Sequence, residues 1–114
     1  MSGENVDVFL SEVKTFLKKH FKNFQLEILF KTPKSLKANI ILDENLFIAL
    51  RYNARNERMD FALIHNNQRI FGYDNLKQWH YHPFEASNEH IICDKPPISK
   101  IFSDIKNVCE KVKR

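Results

Sequence analysis

The sequence predicts a single α+β domain over residues 1–114, an antiparallel meander sheet of about five to six strands with N-terminal and C-terminal helices packed on one face. Two observations predict it. Apolar residues recur at helical spacing near both ends and alternate with polar residues in the middle. The strand-like runs are joined by turns of two to five residues, too short for parallel crossovers. Helices on one face would leave the opposite face of the sheet open to a partner.

Each terminal helix is predicted from an apolar stripe. In the first, apolar residues recur at steps of three and four from Val6 to Phe21, and Asn5 is a plausible N-cap. Asp94 and the Pro96-Pro97 pair precede the second helix as start signals. Its stripe consists of Ile98, Ile101, Phe102, Ile105, Val108 and Val112.

Five strands are predicted between the helices from the alternation of apolar and polar residues. They cover residues 24–31, 36–42, 46–52, 59–65 and 68–73, and residues 89–93 form a marginal sixth. The Asn66-Asn67 link reads as a tight hairpin, because asparagine tolerates the left-handed region. Simple hairpin register would then place Leu63 opposite Ile70 and Arg69 opposite Ile64.

Composition indicates a globular domain with a mild preference for polyanions. Hydrophobic residues make up 43% and charged residues 28% of the chain, and the net charge is +4. These values differ from those of disordered chains, and the positive charge favours an acidic partner such as RNA. No run approaches the roughly 20 apolar residues of a membrane span, and no leader pattern is present, so we expect no membrane association and a cytoplasmic location. Cys93 and Cys109 are too few for a disulfide framework.

The predicted register gathers cationic residues on the open face of the sheet. It places Arg51, Arg58 and Arg69 around Asp60, with Tyr73 near the rim. One interpretation is a solvated face with ion pairs that contribute little individually. The other is a surface on which arginines bind phosphate.

Three of the five histidines lie within eleven positions just after the fifth strand. Gly72 ends the strand, Asp74-Asn75 suits a turn, and His80, His82 and His90 follow in what reads as a loop. Imidazole can donate or accept a proton near neutral pH, so His80 and His82 are acid–base candidates. The other candidates are Arg51 and Arg69 for phosphate, and Tyr73, Asp74, Asn75, His90 and Trp79 for substrate contacts.

Several alternatives stay open for the same residues. Asp74-Asn75 suits plain turn chemistry, and Trp79 suits a core anchor. Histidines two apart in an extended segment point the same way, so His80 and His82 would hold a structural or catalytic metal ion with His90 as third ligand. Asp74, Glu85 or Glu89 are further candidates to complete such a set. The leading hypothesis needs neither a metal ion nor another cofactor.

Four segments together resemble the TumE-type toxin family of prokaryotic toxin–antitoxin systems. They are Arg51-Tyr52-Asn53 through Arg55, Phe61-Ala62-Leu63-Ile64, Arg69-Ile70-Phe71-Gly72-Tyr73-Asp74-Asn75 and His80-Tyr81-His82-Pro83, within roughly residues 46–112. The resemblance implies a type II toxin with a cognate antitoxin as partner. Together with the histidine segment it predicts metal-independent acid–base cleavage of RNA. The alternatives are a non-enzymatic RNA- or protein-binding module that uses the basic, aromatic sheet face, and a metal-dependent hydrolase; a homodimer is also left open.

Overall fold

A computed structural model describes residues 5–113 as one seven-stranded antiparallel sheet with a helix at each end of the chain. The strands follow one another in chain order across the sheet. The elements are α1 Val6–His20, β1 Gln25–Lys31, β2 Ser35–Asp43, β3 Leu46–Asn53, β4 Arg58–His65, β5 Gln68–Asp74, β6 His80–His82, β7 Ile91–Ile92 and α2 Ile98–Val112. The predicted α+β meander is confirmed, with seven strands in place of five to six. The marginal sixth strand predicted at residues 89–93 contains β7, and the additional strand is β6.

The helix starts differ in how they are capped. Asn5 accepts a hydrogen bond from the Val8 amide through Oδ1 at 3.0 Å, so the predicted N-cap of α1 is confirmed. Helix α2 follows Pro97 without a side-chain cap. Neither described helix is long and apolar enough to cross a membrane.

Aromatic rings join both helices to the same face of the sheet. Phe61 of β4 is fully buried, with its ring 6.1 Å from Phe9 of α1 and 5.9 Å from Phe102 of α2. Phe9 also stacks on Tyr52 of β3 at 4.2 Å. These contacts form the centre of the core, and among residues 5–113 no helix covers the other face of the sheet.

A β-bulge at Ile70 changes the register of β5. Arg69 pairs with Ile64 as predicted, but Leu63 pairs with Phe71 and not with Ile70. The extra residue turns Phe71 and Tyr73 toward the helices, where both are buried. The predicted position of Tyr73 at the rim of the open face is therefore wrong.

The edge strand β1 contains a second bulge, between Ile28 and Phe30. The sequence predicted one apolar face along this strand, yet Ile28 is 40% and Phe30 is 52% exposed. The bulge directs the two side chains to different sides. Such an irregularity makes an edge a poorer template for pairing with another chain.

Candidate histidine–carboxylate site

Two cross-strand rows of side chains lie next to each other on the open face. Directly paired antiparallel residues share a face, so the register defines both rows. The charged row consists of Lys37, Arg51, Asp60, Asp74 and His80. The small-residue row consists of Asn39, Ala49, Ala62 and Gly72, and it ends at His82. Small side chains between larger ones leave a shallow groove of about 300 Å³, lined in part by Arg51 and Asp60.

Strand β6 brings two histidines to the end of these rows. His80 pairs with Asp74 and His82 pairs with Gly72, so both imidazoles lie on the open face. His80 is 7% and His82 only 2% exposed. The prediction that these histidines lie in a loop is wrong. The alternation around Tyr81, which faces the other side beside Tyr73 at 5.6 Å, is the sequence signal of this short strand.

Both imidazoles direct one nitrogen to the same carboxylate oxygen. His82 Nε2 lies 3.1 Å and His80 Nε2 lies 3.2 Å from Asp74 Oδ2. His80 Nδ1 lies 3.0 Å from the carbonyl oxygen of Gln78, and His82 Nδ1 lies 3.1 Å from the carbonyl oxygen of Ser87. A carbonyl oxygen can only accept a hydrogen bond, so each Nδ1 carries a proton. Nε2 is therefore the ring nitrogen of each histidine that remains available to Asp74 or to a ligand.

His90 completes the cluster from just before β7. Its ring centre lies 4.9 Å from that of His80 and 4.5 Å from that of His82. One ring nitrogen from each of the three histidines falls within 4.8 Å of the other two. His90 is exposed and makes no hydrogen bond to any residue from 5 to 113. The three histidines that lie close together in the sequence therefore also lie close together in the structure.

Asp74 has two roles at once. Its Oδ1 accepts a hydrogen bond from the Leu76 amide at 3.0 Å, which is turn chemistry, while Oδ2 faces the histidines. Burial acts to raise the pKa of this carboxyl. The Leu76 amide donates a hydrogen bond to this carboxylate, and in their protonated forms His82 adds a hydrogen bond and His80 and His82 add positive charge. These interactions outweigh burial and hold the pKa of Asp74 below its ordinary value.

The neighbouring carboxylate behaves in the opposite way. Burial, and then the negative charge of Asp74, raise the pKa of Asp60, although Arg58, Arg51 and Arg69 act against the shift. Arg58 Nη2 lies 3.6 Å from Asp60 Oδ2. The predicted grouping of three arginines around Asp60 therefore agrees with the electrostatic neighbourhood of its carboxyl.

Arg69 is linked to the histidine cluster through the loop after β6. Its Nη2 donates to the Ser87 carbonyl oxygen at 3.4 Å, and the same oxygen contacts His82 Nδ1. Ser87 is not among the site residues predicted from the sequence. No signal in the sequence identifies it, because the atom that takes part belongs to the backbone.

Three residues that were predicted to contact a substrate make contacts that stabilise the fold instead. Tyr73 donates its hydroxyl hydrogen to Asp104 Oδ2 of α2 at 2.6 Å, on the helix face. Asn75 accepts from the Met59 amide and donates to the Glu57 carbonyl oxygen, both at 2.8 Å, and so ties the end of β5 to the start of β4. Trp79 is half-buried against the core, as its core-anchor alternative states. Neither Glu85 nor Glu89 forms an ion pair with the histidines in the described part of the chain.

Comparison with protein-family models, with curated proteins and with solved structures gives no match. The resemblance to TumE-type toxins therefore stays a prediction from the sequence. The geometry itself defines a class of site: three histidines and a buried carboxylate at one end of an open sheet face, beside three arginines.

Proposed function

We propose that the protein binds RNA on its open sheet face and cleaves phosphodiester bonds at the histidine cluster. The observation that supports this most is the common face of the groups involved. These groups come from the three strands β3, β5 and β6, yet all of them lie on the face opposite α1 and α2: His80, His82, Asp74, Arg51 and Arg69. The sequence resemblance supplies a toxin, with a cognate antitoxin, as the biological role, and RNA as the substrate class follows from that role together with the histidine segment.

The reaction would proceed by internal transfer at the ribose. The 2′-hydroxyl loses a proton to a base at the cluster, and its oxygen forms a new bond to phosphorus. The bond from phosphorus to the 5′-oxygen breaks, and that oxygen takes up a proton. The products are a 2′,3′-cyclic phosphate and a free 5′-hydroxyl. Arginines beside the cluster would stabilise the negative charge that develops on the phosphate oxygens.

Burial changes the expected roles of the histidines. The sequence hypothesis used His80 and His82 as the acid–base pair, but both are buried and both direct Nε2 to Asp74. His90 is the exposed member of the cluster. The neighbouring groups, first by desolvation and then through the charges of His82, His80 and Arg69, lower the pKa of His90 and favour its neutral form. We therefore expect His90 to be the histidine that an RNA phosphate approaches.

Incubation of the purified protein with total RNA tests the proposal. His90→Ala should lower the cleavage rate by about a hundredfold or more, in the range of acid–base contributions. His65→Ala, which removes a histidine at the far end of β4, is the matched control and should cleave like the wild type. Wild-type protein that neither binds nor cleaves RNA would overturn the proposal.

The binding-module alternative has its own test on the same face. If the protein binds RNA without cleaving it, Arg51→Ala and Arg69→Ala should weaken binding. Each substitution should also reduce the salt dependence by about one phosphate contact. Arg55→Ala, in the exposed turn between β3 and β4, is the control. Arginine-dependent binding with intact RNA, unaffected by His90→Ala, would replace the enzyme by the binding module.

A further inference from the structure

We infer that His80, His82 and His90 bind one divalent first-row transition metal ion, with the Asp74 carboxylate beside it. The inference concerns the cluster of the proposed function and names its cofactor class, but ion binding itself does not depend on RNA cleavage. It departs from the metal-independent mechanism that the sequence favoured.

The hydrogen bonds of His80 and His82 define which ring nitrogen is free to bind a metal ion. Each Nδ1 of His80 and His82 donates to a backbone carbonyl, so in the neutral imidazole Nε2 carries only a lone pair. Both lone-pair nitrogens then lie 3.1 and 3.2 Å from Asp74 Oδ2, which also has only lone pairs. Lone pairs at this distance repel, and one cation shared among these atoms would remove the repulsion.

A single metal ion shared by the three imidazoles fits the distances between them. The ring centres of His80 and His82 lie 5.0 Å apart, and that of His90 lies within 4.9 Å of both. One ion would use the lone pair of each Nε2. The Asp74 carboxylate would compensate part of its charge.

The supporting contacts are those of metal-bound histidines. Such histidines usually donate the other ring N–H to a carbonyl or a carboxylate, which fixes the ring and its tautomer. Here Gln78 and Ser87 provide these carbonyls. In tetrahedral zinc sites, nitrogen donors at 2.0–2.1 Å are separated by about 3.3 Å. The three histidine nitrogens lie within 4.8 Å of one another, and exposed His90 can move closer most easily.

The donor chemistry selects the class of ion. Imidazole nitrogen suits zinc, cobalt and nickel, whereas magnesium and calcium prefer oxygen ligands. Three histidines leave a coordination position open for water or for a phosphate oxygen. In the proposed RNA cleavage, an ion held by the three histidines would supply Lewis-acid chemistry beside the phosphate and would stabilise the negative charge that develops on its oxygens.

Metal binding without RNA tests the inference. Protein freed of metal with EDTA and dialysed is titrated with Zn²⁺ by calorimetry and with Co²⁺ by visible absorption. We expect one ion per chain, a rise in melting temperature with Zn²⁺ that EDTA reverses, and no response to Mg²⁺. His90→Ala should weaken binding by at least about tenfold, and His65→Ala should leave it unchanged.

His90→Ala is the primary variant because the side chain is exposed and its loss should not unfold the chain. His80→Ala is the second variant, and its fold is checked by circular dichroism before titration. Absence of stoichiometric Zn²⁺ binding by the wild type, or equal binding by His90→Ala and His65→Ala, would overturn the inference. Bound metal without RNA cleavage would instead reject the proposed function alone, and RNA cleavage that survives EDTA would separate the activity from the ion.

Discussion

The two faces of the sheet consist of the same strands but differ in the kind of residue that they carry. On the helix face, Phe61 and its neighbours are selected for volume, and rings from both helices enclose them. On the open face, charged and small residues form rows whose order depends on which residues pair across the sheet. The helix face of β3 and β4 therefore follows from local alternation, whereas the open face and the helix face of β5 follow from register. Substitutions should affect stability on the first face and chemistry on the second.

The largest effect should come from the core ring shared by both helices. Phe61→Ala removes a fully buried side chain that contacts Phe9 and Phe102. We expect a loss of about 3–5 kcal/mol in the free energy of unfolding, measured by urea titration. Phe47→Ala, on the open face of β3, is the matched control and should cost much less. Equal losses at the two positions would remove the contrast between the faces.

Gly72 lies on the open face, but a substitution there should also lower stability. A Cβ at this residue would lie 2.8 Å from the Phe61 carbonyl oxygen and 3.3 Å from Ala62 Cα. Backbone atoms cannot yield without moving the strands, so Gly72→Ala should cost about 1–3 kcal/mol in thermal or urea unfolding. Ala49→Ser, in the same row on β3, should change stability little. A Gly72→Ala protein as stable as the wild type would show that β4 and β5 separate easily.

Tyr73 tests the corrected assignment of β5 to the helix face. Tyr73→Phe removes the hydrogen bond to the Asp104 carboxylate and should lower the free energy of unfolding by about 1–2 kcal/mol. Tyr81→Phe is the control, because the Tyr81 hydroxyl makes no hydrogen bond within residues 5–113. Both proteins are compared by thermal unfolding. If the two substitutions cost the same, the Tyr73 hydroxyl faces solvent as the sequence first suggested.

Asp60 should show the smallest effect, and of opposite sign. Its pKa is raised in the folded state, so ionisation of the carboxyl costs stability at neutral pH. Asp60→Asn should therefore stabilise the protein by less than about 1 kcal/mol at pH 7, since the Arg58 ion pair is partly solvated. The gain should shrink as the pH falls through the raised pKa toward the unfolded value. Urea titrations between pH 4 and pH 8 measure it, and a loss of stability would mean that the ion pair dominates.

Local pattern was sufficient for most of the fold. Helical spacing identified both helices, the Asn5 cap is present, and Asn66 and Asn67 adopt φ angles of 51° and 66° in the predicted hairpin. The open-face position of Arg51 on β3 was also predicted correctly, since Leu46 and Tyr52 of the same strand are buried on the other side. These features depend on residues close in sequence or on simple alternation.

The candidate site was predicted less completely because it depends on register. One unpaired residue, Ile70, reverses the faces of all later β5 positions, so Tyr73 and Asp74 exchange sides relative to simple alternation. No property of the Ile70 side chain predicts the bulge. The gathering of histidines was visible in the sequence, but their contact with one oxygen of Asp74 required the pairing of β5 with β6.

The Ser87 carbonyl has a consequence for how this chain can vary. Its oxygen receives hydrogen bonds from both His82 and Arg69, and a backbone atom is present whatever side chain position 87 carries. Residues 83–89 also set the span between His82 and His90. Position 87 should therefore accept many substitutions, whereas the segment should accept few insertions or deletions. At this position the path of the backbone, rather than the side chain, is what natural variation should preserve.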